Sequence, residues 1–335
     1  MITSYPFGTT SSGQEVTCYI FRYPSGMEIH LLDYGLTIHK LLIPQEDGKF
    51  RDVVLGFDEL SSYEQTHPYF GCIIGRYANR IKEGQFEWKG EQFRLSRNDG
   101  SNHLHGGPQG FHRQLWTLHE KLEEGLVFTY TSPDGEEGFP GDLQVEVRIQ
   151  MTADNRIRFD HFASTTKDTP VNLTRHEYWN LDQRSGKSIE DHQVSIRAEH
   201  YLEVDKEGIP TGAIKRVDEM MNFTSLKAIN TGRKEGYDHN YVIKQDALEV
   251  PIARITKPDH SITMQLFSNS PGLQFFTANN LGSWEGKYGA LADRSPGLCL
   301  EPQHFPDAPN HPNFPGPFLL EGDTFHQIII YAFEF

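Results

Sequence analysis

Gly84–Leu95 reads GQFEWKGEQFRL, and its period decides how this chain is built. Apolar Phe86, Trp88, Phe93 and Leu95 alternate with Gln85, Glu87, Gln92 and Arg94 on either side of Lys89-Gly90. Side chains of an extended backbone change face at every residue, so the stretch predicts a hairpin with one wet face. The same texture runs outward in both directions. Val16–Tyr23, Met27–Leu32, Leu36–Ile43 and Asp52–Gly56 precede it as short apolar runs, with turn residues at Pro24–Gly26 and Gln45–Lys49. Leu126–Thr131, Leu143–Met151, Arg156–Ala163, Ser261–Phe267 and Phe325–Phe335 follow it. Helical signals are few: Phe57–Glu64 predicts one or two turns and Ser225–Ile229 one. No fixed repeat, low-complexity tract or dividing linker interrupts the pattern. The expectation is a single all-β domain over residues 1–335, a large antiparallel β-sandwich with few short helices.

Composition narrows the function. Lys and Arg number 31 against 46 Asp and Glu, a formal net charge of −15. Phosphate backbones and anionic membrane surfaces are bound by clustered Lys and Arg, so neither nucleic acid nor membrane is expected as a partner. Cys18, Cys72 and Cys299 are far apart and odd in number, which suggests buried small hydrophobes rather than disulfides or zinc thiolates. The opening MITSYPFGTTSSGQEV has no basic n-region or apolar h-region. No apolar run approaches the ~20 residues of a membrane span. A soluble cytoplasmic protein is the expectation.

Chemistry-bearing residues cluster in six places. Leu298–Asn310, LCLEPQHFPDAPN, places Glu301 where a buried strand gives way to a loop stiffened by Pro302, Pro306 and Pro309, and carrying His304 and Asp307. Gly75–Ile81, GRYANRI, offers Arg76 and Arg80; an Arg here suits either a structural carboxylate or a ligand's vicinal hydroxyls. Ser101–Gly107, SNHLHGG, sets His103 and His105 on one face of an extended backbone. Further metal ligands are missing at recognisable spacing, although distant His239 and His304 stay open. Asn172–Leu181, NLTRHEYWNL, puts His176 among Thr174, Tyr178 and Trp179, a composition suited to a pocket wall as well as to a core. Gly236–Val242, GYDHNYV, contributes Asp238. In Ser270–Asn280, SPGLQFFTANN, Phe275 and Phe276 point opposite ways if extended, one to the core and one to a ligand. No P-loop, dinucleotide fingerprint or GxSxG elbow occurs.

Taken together and in this order, these segments resemble the aldose 1-epimerase (galactose mutarotase) family. HPYFG at His67–Gly71, YGLTIHKLLIP at Tyr34–Pro44 and VVLGFDELSSY at Val53–Tyr63 are also similar to it, so the resemblance spans residues 1–335. It implies the galactose mutarotase-like supersandwich, no cofactor and no catalytic metal, and an aldohexose substrate. It implies Glu301 as general base, His176 as general acid and His103 as a second active-site imidazole. Arg76, Asp238 and Asn102 would hold sugar hydroxyls, and Phe276 would line the pocket. Departures fall at Arg175 and Trp179, which flank His176. The activity implied is interconversion of the α and β anomers of a free hexose such as D-galactose or D-glucose, by a monomer or homodimer. A non-catalytic sugar-binding protein would need the hydroxyl-binding residues but not Glu301 and His176 together. A hexose-6-phosphate 1-epimerase would need basic residues at the sugar's far end, for which Arg175 is the one unexpected candidate.

Overall fold

Burial in Leu143–Thr152 follows the period of two: Leu143, Val145, Val147, Ile149 and Met151 are buried, and Gln144, Glu146, Arg148 and Gln150 face outward. In the computed structural model this strand belongs to an antiparallel sheet ordered Thr117–Leu122, Gly125–Ser132, Leu143–Thr152, Arg156–Thr165, Phe325–Glu334, Thr263–Ser268, Ala253–Thr256, Gln193–Ile196 and Lys227–Ala228. The structure describes residues 1–65, 68–152, 154–182, 188–229, 235–244, 248–279, 281, 284–289 and 295–335. Phe325–Glu334 lies in mid-sheet, paired with Arg156–Thr165 on one side and Thr263–Ser268 on the other. Its run from Gln327 to Phe333 is buried without alternation because both sheet faces are covered. Ile329, Tyr331 and Phe333 enter the main core, while Ile328, Ile330 and Ala332 join Phe267 in a second cluster.

A second sheet is a plain meander of Ile2–Thr9, Glu15–Arg22, Glu28–Leu32, Ile38–Pro44 and Phe50–Asp52. A third, ordered Pro210–Arg216, His200–Val204, Asp238–Val242, Gly272–Phe276 and Cys299–Gln303, carries the site described below. The main core draws on all three: Phe21 and Leu41, Val147 and Phe159, Tyr241 and Phe275. Each such side chain contributes about 1.5–3 kcal/mol on burial, which holds the sheets face to face. The hairpin at Gln85–Trp88 and Glu91–Arg94 forms as its alternation predicts, with Lys89 and Gly90 both at positive φ. The helix expected in Phe57–Glu64 is Leu60–Glu64. Ser225–Ile229 is a correction: Lys227 and Ala228 pair with Val194 and Gln193, because five residues nucleate a helix poorly and a sheet edge was available.

Candidate active site

Directly opposed residues in antiparallel strands share a face. Asp238 opposes Phe276, Asn240 opposes Gln274, Gln274 opposes Glu301, and Phe276 opposes Cys299. One face of the third sheet therefore carries Asp238, Asn240, Gln274, Phe276, Cys299 and Glu301, while Leu273, Phe275 and Leu300 go to the core. The Glu301 strand runs two residues beyond the expected break, to Gln303. It is the outer strand, where Pro302 costs no ladder bond. The segment around His176 covers that edge. Thr174 Oγ1 donates to the Pro302 carbonyl at 2.8 Å, and Trp179 and Leu298 exchange both main-chain hydrogen bonds. This docking sets His176 Nε2 3.6 Å from Glu301 Oε2.

His176 is pinned by its backbone, its N–H donating to Cys72 and its carbonyl accepting from Gly71. Its ring packs on Tyr178, Tyr69 and His105, with centroids 5.0, 5.9 and 5.1 Å away. Nδ1 lies 3.5 Å from Cys299 Sγ. His105 comes in from a tight turn. A Cβ on the following Gly106 would lie 1.8 Å from the Gly75 carbonyl oxygen, so only glycine permits the approach. His105 and Asn79 are doubly tied: His105 N–H donates to the Asn79 carbonyl, and Asn79 N–H donates to His105 Nδ1, both at 3.1 Å. An Nδ1 that accepts leaves the ring proton on Nε2. Burial, with His176 and Arg80 nearby, pushes the His105 pKa well below 6.5, so the ring is neutral.

The carboxylates and Arg80 set the electrostatics. Burial raises the Glu301 pKa well above 4.5, reinforced by Asp238 and Glu177 and opposed by Arg80. Asp238 is the open member, with 44 % of its side chain exposed. Burial also raises its pKa, with Asp99 adding to the rise and Arg80 and Gln274 opposing it. Gln274 Nε2 donates to Asp238 Oδ1 at 2.6 Å. Arg80 bonds Asp99 through Nε at 2.8 Å and stands 3.8 Å from Asp238. His105, His176 and Glu301 each offer a ligand atom within 4.8 Å of the others, the donor set of a His₂Glu zinc site. The fit is poor in one respect. His105 Nε2 carries its proton, and moving that proton to Nδ1 would set it against the Asn79 N–H.

Of the residues expected here, Glu301, His176, Asp238 and Phe276 come together, and Arg76, His103 and Asn102 do not. The Arg76 guanidinium is enclosed by the carbonyls of Ser132, Pro133, Pro140 and Gly141 and by Ser132 Oγ. Burial lowers its pKa to about 10. His103 Nδ1 bonds the Ser96 carbonyl at 2.7 Å, and its ring meets Phe139 edge-on. The shared face expected for the two histidines fails because only His103–Leu104 is strand, and His105 has φ +51°. Asn102 Oδ1 accepts from the Glu83 N–H and its Nδ2 donates to Glu207. Arg80 and His105 thus stand where Arg76 and His103 were expected. The Gly106-Gly107 pair was a signal for the His105 turn; nothing local favoured Arg80. Arg175 and Trp179 are fully buried away from the site. Arg175 pairs with Glu177, which also accepts from Tyr331. Asp307 accepts from the Lys82 N–H and Asn310, tying its loop to the Lys82 segment, and His304 Nδ1 accepts from the Phe305 N–H within the loop. His67 and Asn280 lie outside the described residues.

Comparison with known proteins gives the family and the fold. The family described as aldose 1-epimerase matches residues 17–332. Human galactose mutarotase is 38 % identical over 341 residues, covering 99 % of this chain and 98 % of that one. The aldose 1-epimerase of Escherichia coli K12 is 34 % identical, covering 96 % of each. The crystal structure of an aldose epimerase homologue from C. elegans superposes with a TM-score of 0.88 at 30 % identity, over 94 % of this chain and 98 % of the other. A galactose 1-epimerase structure from Lactobacillus acidophilus gives 0.86 at 23 % identity, over 100 % and 98 %, and shares the fold.

Proposed function

This chain belongs to the aldose 1-epimerase family and is an isomerase of sugar anomers, and on that premise we propose that it acts on a free aldohexose such as D-galactose or D-glucose, with Glu301 as general base and His176 as general acid. The supporting observation is the facing pair itself, Nε2 to Oε2 at 3.6 Å, on the sheet face that also carries Asp238 and Phe276. Ring opening removes the C1-hydroxyl proton and protonates the ring oxygen. Both oxygens are bonded to C1, so base and acid have to converge on one carbon.

Glu301 takes the C1-hydroxyl proton while imidazolium His176 gives its Nε2 proton to the ring oxygen. The bond from C1 to the ring oxygen breaks and leaves the open aldehyde. Rotation about C1–C2 presents the other carbonyl face. As the C5 oxygen attacks C1, His176 takes back the C5-hydroxyl proton and Glu301 returns its own to the new C1 oxygen. Each group contributes about 10²–10⁴-fold. The raised Glu301 pKa brings a carboxylate closer to neutral basicity, and Glu301 in turn favours the charged form of His176. Neutral His105, its proton held on Nε2, donates to an oxygen at the reacting end. Arg80 and Asp238 hold sugar hydroxyls, and Phe276 walls the pocket. One domain, residues 1–335, carries the activity.

The phosphosugar alternative loses its candidate residue, because Arg175 is fully buried against Glu177. Polarimetry on freshly dissolved α-D-galactose and α-D-glucose, in EDTA, tests the proposal. Fast decay to the spontaneous end point is expected, nearly abolished in Glu301→Gln while sugar binding survives. Decay no faster than buffer, or a fully active Glu301→Gln enzyme, would refute it.

A further inference from the structure

The two site imidazoles have opposite kinds of partner on Nδ1. His105 faces a main-chain N–H, which can only donate and so holds that ring neutral. His176 faces the Cys299 sulfur at 3.5 Å, and a thiol is both a weak donor and a weak acceptor. From this contrast we propose that Cys299 is a positioning residue for His176, its sulfur accepting the Nδ1–H in both the neutral and the protonated ring so that Nε2 is the atom that gives and takes the proton. The inference rests on the acid role assigned to His176.

The neutral ring left after Nε2 gives up its proton keeps its other proton on Nδ1, and that N–H donates to the Cys299 sulfur. When Nε2 is protonated the same Nδ1–H to sulfur bond persists, with the S–H turned away from the ring. A carboxylate in this place would hold the imidazolium, and an amide N–H would hold the neutral ring. The thiol is suited by its setting. Cys299 is fully buried on the site face of its strand, opposite Phe276, and Tyr178 is a second hydrogen-bonding partner of its sulfur. Burial and the Glu301 charge keep it a thiol. The groups facing His176 include Cys299 and Glu301 from the third sheet, His105 and Tyr69 from the loops, and Tyr178 from its own segment.

Cys299→Ala and Cys299→Ser test this in the full chain. Cys299→Ala is expected to lower kcat about 10-fold with KM unchanged, in the range of other partners that orient a functional histidine. It also displaces the pH–rate limb of His176. Cys299→Ser, whose hydroxyl likewise donates and accepts, restores most of kcat and the limb. NMR titration of the His176 ring without sugar reads the same displacement independently of turnover, so failure of the acid assignment and failure of the Cys299 role are separable. An unchanged ring titration in Cys299→Ala would overturn the proposal, as would a serine variant no better than the alanine one.

Discussion

The main-chain N–H of Asn79 points at Nδ1 of His105 from 3.1 Å, and that single donor decides what the ring can do. A ring held neutral with its proton on Nε2 donates but does not shuttle. His105→Ala should lower kcat about 10²–10³-fold, the usual cost of losing a donor aimed at developing charge. His105→Gln, which keeps an N–H near that position, should retain part of the loss. Neither should remove a limb from the pH–rate profile, since His105 does not titrate near neutrality. Stopped-flow polarimetry across pH decides the matter; a limb that vanishes with His105 would contradict it.

The same donor bears on metals. His105, His176 and Glu301 have the composition of a zinc site, yet ligation through His105 Nε2 would turn two N–H groups toward each other. Equimolar Zn²⁺ should therefore leave Tm and polarimetric rate at their values in EDTA. A Tm rise with Zn²⁺ that disappears in His105→Ala would show that the cluster does take the ion.

Arg76 and Arg80 should separate in their effects. Arg76→Ala strips donors from four buried carbonyls, each worth about 1–3 kcal/mol when left unpaired. A Tm loss of roughly 5–10 °C with KM unchanged is expected. Arg80→Ala removes a charged donor beside Asp238, and kcat/KM should fall about 10–100-fold with a small change in Tm. Calorimetry and saturation kinetics on both variants check this, and the reverse pattern would return the ligand-binding role to Arg76.

Glu301 links activity to stability. Its folded pKa lies above 4.5, so the folded protein keeps a proton that the unfolded chain has released. The stability it contributes is complete below 4.5 and declines as pH rises toward the folded pKa. Glu301→Gln removes that decline, while Glu177 and Asp238 remain in both proteins. The variant's Tm advantage should widen from about pH 5 to pH 8. A constant difference across that range would count against the raised pKa.

How much of this was legible follows from where the deciding variables lie. Alternation in Gly84–Leu95 and Leu143–Thr152 is local, and both segments fold as their period predicts. Ser225–Ile229 was misread because its partner, Gln193–Ile196, is distant and has no strong pattern of its own. In the site, Glu301, His176, Asp238 and Phe276 were named from their motifs; sheet register brings Asp238, Phe276 and Glu301 to one face, and the docking of Thr174 and Trp179 adds His176. Within the motifs, Arg76 was chosen over Arg80, four residues on, and His103 over His105, two residues on. Positive φ at Asn79 and His105 re-aims the side chains there, and that backbone is held by tertiary contacts such as Gly106 against Gly75. Period-two reasoning has no access to it.

The mid-sheet position of Phe325–Glu334 has a consequence for biosynthesis. Synthesis runs from residue 1 toward residue 335, so this strand emerges after both strands it joins, Arg156–Thr165 and Thr263–Ser268. Until then those two present open ladders flanking an unfilled slot, the kind of edge that recruits strands from other molecules. A chain halted after Ser268 and before Phe325 would carry both open edges and be prone to association with other molecules.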